Sequence, residues 1–357
     1  MLQLAHKSGA FTRVLPRIAS LIPTRHYAIV PPVTPGPEAA GFQVFHRDTK
    51  RKQKDRAAIN VTESRVTDYL KDEIAARVAD RILDIKRNFN TVVDLGSGCG
   101  HIVKHLDSDM VDKLIMCDMS GMDLIAFVKM AMTAETLVLN AINLEQALNR
   151  DKDIQYDVEV ERKVVDEELL PFEENSLEAV VSSLSMHWVN DLPGALIQIR
   201  RSLKPDGVFV GAMFGGDTLF ELRTSLQLAE LEREGGISPR VSPLTDSKDM
   251  SNLLTRAGFT LTTVDVDEIQ VNYPSAIELM QDLRSMGESN AVINRQTILK
   301  RDTMLAATSI YQELHGNADG SVPATFSIIY MIGWKPSATT PQPKKRGSAQ
   351  KSLKDVL

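Results

Sequence analysis

Residues 91–100 read Thr-Val-Val-Asp-Leu-Gly-Ser-Gly-Cys-Gly. An apolar, β-branched run leads into Asp94, and glycines follow at positions 96, 98 and 100. The pattern predicts a buried strand, then a tight turn nearly free of Cβ atoms, then a helix. A ligand can lie close to the backbone of such a turn, and open α/β sheets bind ligands at the carboxyl ends of their strands.

About twenty residues on, Leu-Ile-Met-Cys-Asp-Met at 114–119 reads as a second short buried strand ending in Asp118. A carboxylate there can accept both hydroxyls of a ribose. Met119, next to it, is placed to pack on a base. A dinucleotide and S-adenosylmethionine both fit this pair of segments. The spacing G-x-G-x-G departs from the dinucleotide fingerprint G-x-G-x-x-G. Asp94 beside the cofactor also suits a cationic methionine moiety better than a pyrophosphate. Two later segments extend the pattern. Val-Val-Asp-Glu-Glu-Leu-Leu-Pro-Phe at 164–172 places Asp166 just past a strand, where it can accept an adenine amino group, with Glu167 and Glu168 as rivals. Residues 178–190 form a strand ending in Ser182 and Ser183, followed by a loop with His187 and Trp188. A helix is expected over 193–203, then a turn at Lys204-Pro-Asp-Gly207 and a strand over 207–213. Strands alternating with helices indicate a mostly parallel sheet covered on both faces.

Residues 91–213 resemble a class I S-adenosylmethionine-dependent methyltransferase. Longer segments narrow the resemblance: FHRDTKRKQKDRAA at 45–58, SSLSMHWVNDLPGAL at 182–196, GAMFGGDTLFELRTSLQLAELEREGGISPRVSP at 211–243, DEIQVNYPSAIELMQDLRSMGESNA at 267–291 and SVPATFSIIYMIGWK at 321–335. They are similar to the mitochondrial complex I assembly factor 5 family of methyltransferase-like arginine hydroxylases, over about 42–335. The resemblance implies a seven-stranded Rossmann-like methyltransferase sheet, mostly parallel, with an antiparallel last strand and helices on both faces. That last strand is expected near 326–334 as an edge strand, in a hairpin with 260–267. The resemblance also implies S-adenosylmethionine as cofactor and an iron–sulphur-cluster subunit of nascent complex I as partner. The site of action it implies is the matrix face of the inner mitochondrial membrane. From the residues alone, an ordinary methyltransferase and a non-enzymatic, cofactor-bound assembly chaperone fit as well.

With 357 residues, 43% of them hydrophobic, the chain can bury a large core. No apolar run is long enough to span a bilayer as a helix, so membrane contact is expected to be peripheral. Two cysteines, Cys99 and Cys117, suit a reducing compartment and a pair of buried thiols. No acidic residue precedes Glu38, and Lys7, Arg13, Arg17 and Arg25 are interleaved with apolar residues. Residues 1–27 therefore read as a mitochondrial targeting sequence trimmed near Ala28, with a proline-rich linker over 28–44. The formal net charge of −6 becomes more negative once that segment is removed, which disfavours nucleic-acid binding. The basic run Lys-Arg-Lys-Gln-Lys-Asp-Arg at 50–56 reads as a solvated helix face or a docking surface. Residues 60–86 form a helix with Val66, Leu70, Ile74 and Val78 on its inner face. Residues 123–150 are an apolar insertion, and 336–357 a disordered basic tail.

For catalysis, His187, Trp188 and Asp217 are the expected substrate-pocket residues. Asp217 would grip a guanidinium with both oxygens, or cap the helix after it, as Thr218 also could. Tyr273 and Glu288 are further pocket candidates. His101 with His105, and His187 with Asp191, have metal-ligand spacing but lack a convincing third ligand. No metal site is expected, and the source of any oxidant is open.

Overall fold

The structure, a computed structural model, describes residues 43–119, 150–151, 153–341, 344 and 346–348. The expected targeting sequence, nearly all of the linker, the insertion up to residue 149 and most of the basic tail lie outside the described residues.

Among the described residues seven strands form one sheet: β1 Phe89–Leu95, β2 Val111–Asp118, β3 Glu159–Val164, β4 Leu177–Ser183, β5 Leu203–Phe214, β6 Thr260–Tyr273 and β7 Val322–Trp334. Their order is β3-β2-β1-β4-β5-β7-β6. β1 to β5 run parallel, and β7 is antiparallel to both β5 and β6. One strand of seven thus opposes the rest, as expected, and it pairs with β6. Its position differs from the expectation, because β7 is inserted between β5 and β6 and β6 is the edge. The burial pattern explains this. β7 is apolar and buried almost throughout, whereas β6 alternates half-buried with exposed residues, as suits a strand with one unpaired side.

Successive residues of the inner strands enter opposite cores, as pleating requires. Val92, Val181, Val208 and Val210 face one core, together with Leu70, Ile74, Val78 and Ile82 of α3 (Tyr69–Leu83). α5 (Phe220–Glu234), α7 (Ala276–Ser285) and α8 (Arg301–His315) cover the same side. Val93, Val180, Phe209 and Met213 face the other core, beneath α4 (Leu192–Ser202) and α6 (Ser247–Ala257). Both faces are covered, as the element order predicted.

Three local differences have physical causes. The helix expected over 60–86 breaks at Asp68 into α2 (Val61–Thr67) and α3, so the stripe slips and Val66 is exposed. Lys204–Gly207 does not leave the sheet. The segment belongs to β5, where Asp206 takes a left-handed conformation and the β4–β5 register shifts as at a bulge. After the glycine turn the chain makes only a short 3₁₀ turn, Ile102–His105.

Candidate active site

β1 pairs with β2 on one side and with β4 on the other. This is the topological switch point at which a crevice opens beyond the strand ends. The ends of β1, β2 and β4 deliver Asp94 to Gly98, Asp118 and Ser183 to one place. The cavity there is lined by Gly96, Ser97, Gly98, Ser183, Lys54, Lys71 and Glu288, among others. The glycine turn folds over β2, because Gly96 N and Ser97 N donate to Cys117 O at 2.8 and 2.9 Å. Gly100 N donates to Ser97 O and closes the turn. Gly96 and Gly98 both have positive φ. A Cβ on Gly98 would meet no atom within 4 Å, so this backbone is open to a ligand. Asp118 is fully buried and accepts Gly98 N at 3.0 Å and Lys54 Nζ at 3.0 Å.

Asp94 is 1% exposed, and among the described residues neither of its carboxylate oxygens has a hydrogen-bond partner. Burial, with the nearby Asp118 charge adding to it, pushes its pKa up to about 8. An orphaned acid of this kind fits a cationic ligand. S-adenosylmethionine brings an ammonium and a sulfonium, and a ribose diol for the Asp118 side, so the residues present fit that group. A testable consequence follows from the sign of the shift. In the ligand-free protein burial favours the protonated form of Asp94 at neutral pH, and a bound cation would favour the ionised form. S-adenosylmethionine affinity should therefore rise with pH up to about 8 and level off above it, with proton release at pH 7. Calorimetry in buffers of differing ionisation enthalpy checks this, and a pH-independent affinity from 6 to 9 would contradict it. In the ligand-free protein the same shift stabilises the fold below the unfolded carboxyl's pKa. That stability is lost as pH rises through about 8.

Of the acids at 166–168, Asp166 is partly exposed and accepts from Arg47 Nη2 at 2.8 Å. Glu167 is the one turned inward. It accepts Ser185 Oγ at 2.7 Å, pairs with Arg47, and its Oε1 lies 3.0 Å from where a Gly96 Cβ would stand. Burial opposes its charge, but Arg47 and Lys54 prevail and hold its pKa near about 2. Met119 is buried at the end of β2.

His187 and Trp188 form a short 3₁₀ turn after β4, and both are buried. Trp188 Nε1 donates to Glu288 Oε2 at 2.8 Å, and His187 Nε2 lies 3.4 Å from the same oxygen. Burial lowers the His187 pKa, and Glu288 only partly opposes this. The structure does not bring Asp217 to these two. Asp217 is exposed in the turn before α5 and is not among the residues lining the cavity. It does not cap α5 either, whose N-cap is Leu219 with no side-chain cap bond. Thr218 instead donates to Ser327 O at 2.9 Å. Tyr273 is buried beside Tyr69, to which its hydroxyl hydrogen-bonds. His101 is buried against Asp72 while His105 is exposed, so the two do not share a face. Asp191 caps α4 by accepting from Gly194 N at 2.9 Å. Among the described residues no group of three His, Cys, Asp or Glu stands where it could hold a metal ion. Cys99 and Cys117 are free and buried, and burial raises both thiol pKa values.

The basic run at 50–56 is where sequence reasoning missed most. It lies on α1 (Arg47–Ile59), where Lys50, Arg51 and Lys54 turn inward, while Lys52 and Arg56 stay on an exposed face. Arg47 stands on Asp166 and Glu167, Lys50 on Glu288, and Lys54 on Asp118. The signal was in the spacing, since positions 47, 50 and 54 share one helical face. Glu288 lies between α7 and α8 and is ion-paired with both Lys50 and Lys71. Burial opposes the charge on Glu288, but the two lysines keep it well below the usual carboxylate range.

Residues 66–264 match the family described as methyltransferase domain. The zebrafish protein named arginine-hydroxylase NDUFAF5, mitochondrial, is 51% identical over 88% of this chain and 90% of its own length. The human protein of that name is 50% identical over 88% of this chain and 84% of its own. Among solved structures, the YcgJ protein of Bacillus subtilis is similar at 14% identity, with a TM-score of 0.45, over 73% of this chain and 98% of that one. The chain belongs to the NDUFAF5 family of arginine hydroxylases, within the methyltransferase-domain proteins.

Proposed function

We propose that this protein hydroxylates an arginine side chain of a complex I subunit during assembly of that complex in the mitochondrial matrix, on a fold that binds S-adenosylmethionine. The observation that carries the reading is the 51% identity, spread over 88% of this chain, to a protein named as a mitochondrial arginine hydroxylase. The likeness thus includes the cofactor crevice and the C-terminal half that supplies Glu288. When bound, S-adenosylmethionine supplies a sulfonium cation beside the substrate. The protein's own part is binding and orientation. Asp94 faces the cationic end, and Gly96 and Gly98 let the cofactor lie on the backbone. Asp118, fixed by Gly98 N, accepts the ribose hydroxyls, with Met119 and Asp166 on the adenine side. His187 and Trp188 contact Glu288, which lines the crevice, and so support that wall from behind. Hydroxylation exchanges a C–H hydrogen for a hydroxyl group and withdraws an electron pair, so an oxidant is consumed with the arginine.

The match to a methyltransferase domain supports a second reading, methyl transfer from the same crevice. The products separate the two. Mass spectrometry of complex I subunits, with and without this protein, should show an arginine that gains one oxygen atom only when the protein is present. A gain of one methylene would support methyl transfer, and no arginine change in any subunit would reject arginine hydroxylation.

The finer assignments are an iron–sulphur-cluster subunit as the target, removal of residues 1–27, and peripheral attachment to the inner membrane. Among the described residues no helix is long and apolar enough to cross a membrane. Carbonate extraction should release the protein, and retention in the pellet would contradict peripheral attachment.

A further inference from the structure

Lys50 lies in an unusual setting for an ammonium. It is fully buried in α1, with Nζ 3.3 Å from the centroid of the Trp188 ring. It donates to Gly287 O at 2.8 Å and to Ser289 O at 3.2 Å, and Glu288 Oε2 is 3.6 Å away. An aromatic face, two carbonyls and a carboxylate are the elements of a cation cage. Glu288 is also one of the residues lining the crevice that holds the glycine turn.

We propose that this cage of Glu288, Trp188 and the carbonyls of Gly287 and Ser289 is the binding site for the guanidinium of the substrate arginine, and that Lys50 fills it in the substrate's absence. The proposal rests on the arginine-hydroxylase reading for the class of ligand.

The occupant fits the cage less well than a guanidinium would. The ammonium stands too far from Glu288 for a good hydrogen bond. A guanidinium is planar, can stack on the indole and can give two parallel hydrogen bonds to the carboxylate. Burial also costs Lys50 much of its hold on its proton, lowering its pKa to about 7 despite Glu288. Guanidinium charge is far more weakly hydrated and persists in such a place. The incoming guanidinium would take the place of Lys50 as the cation beside Glu288. Lys71, 3.4 Å from Glu288 Oε1, remains as the carboxylate's second partner. Glu288 also differs from Asp217, the acid expected from sequence, in being buried and in touching both His187 and Trp188.

The test uses the full chain with S-adenosylmethionine present and two probes, acetyl-Gly-Arg-Gly-amide and its uncharged citrulline counterpart. Binding is read by calorimetry and by Trp188 fluorescence. Lys50→Ala, which empties the cage, should bind the arginine peptide at least tenfold more tightly than the wild type. The citrulline peptide should not gain. Adding Glu288→Gln to Lys50→Ala should abolish the difference between the peptides. If Lys50→Ala does not fold, wild type against the near-isosteric Glu288→Gln carries the same comparison. Loss of the preference for arginine is then expected. Equal binding of the two peptides by Lys50→Ala, including binding of neither, would overturn the proposal. Failure of the functional reading looks different. A methylated product with Glu288-dependent arginine binding would remove hydroxylation and leave the cage. Arginine hydroxylation with no peptide preference would do the reverse.

Discussion

Replacing Gly96 by alanine is expected to destabilise the protein by about 2–5 kcal/mol, the combined scale of a left-handed backbone at a non-glycine residue and an overpacked core. The φ at Gly96 is +72°, and an added Cβ would stand 2.0 Å from Ser185 Oγ and 2.1 Å from Ser185 Cβ. Ser185 cannot easily yield, because its hydroxyl donates to the buried Glu167. Urea denaturation gives the midpoint and slope needed. A change within about 0.5 kcal/mol, as for an inert surface substitution, would show that the turn is not locked as described. Gly98→Ala is the internal control, with a strained backbone but open space around the new Cβ.

Asp118→Ala is expected to weaken S-adenosylmethionine binding by about 2–3 kcal/mol, the scale for losing a charged hydrogen-bond acceptor, which is roughly 30- to 150-fold in Kd. The carboxylate is held in place before any ligand arrives, because Gly98 N and Lys54 Nζ both donate to its Oδ2. The variant also strands the Lys54 ammonium, whose proton Asp118 and Glu167 hold against the effect of burial. Calorimetry on the folded variant, with its melting temperature checked in parallel, reports the effect. Unchanged affinity would reject the ribose role of Asp118.

Much of the fold was legible because it follows from pleating. Val92–Leu95 is apolar except for Asp94, and Val208–Phe214 carries no polar side chain, as strands buried on both faces require. The glycines at 96 and 98 announced a turn that only glycine accommodates. The place of β7 inside the sheet was not legible, because local sequence fixes which residues form a strand and not which gap it fills. Burial along β7 and exposure along β6 held a hint, but the two were read as a simple hairpin. Helices α7 and α8 separate them in the chain.

The site divides in the same way. Asp94 and Asp118 lie at the carboxyl ends of β1 and β2, so position along the chain predicted position in space. Glu288 lies far from both in sequence and reaches the crevice only through the packing of the loop between α7 and α8. The inward face of α1 was misread for a different reason. Lysine and arginine are expected in water unless paired, and their partners, Asp118, Glu167 and Glu288, come from three distant segments. Asp217 was misplaced because a carboxylate just past β5 suggested the crevice, while the turn before α5 points it to solvent.

The central claim is that arginine hydroxylation and the S-adenosylmethionine crevice belong to one site. The most direct measurement compares cells lacking this protein, complemented either with the wild type or with Asp118→Ala expressed to the same level. High-resolution mass spectrometry then reads the arginines of assembling complex I subunits. The wild type should restore a gain of one oxygen atom on an arginine, and Asp118→Ala should leave that residue largely unmodified. Full restoration of the oxygen by Asp118→Ala, in a variant shown by calorimetry to have lost the cofactor, would contradict the account.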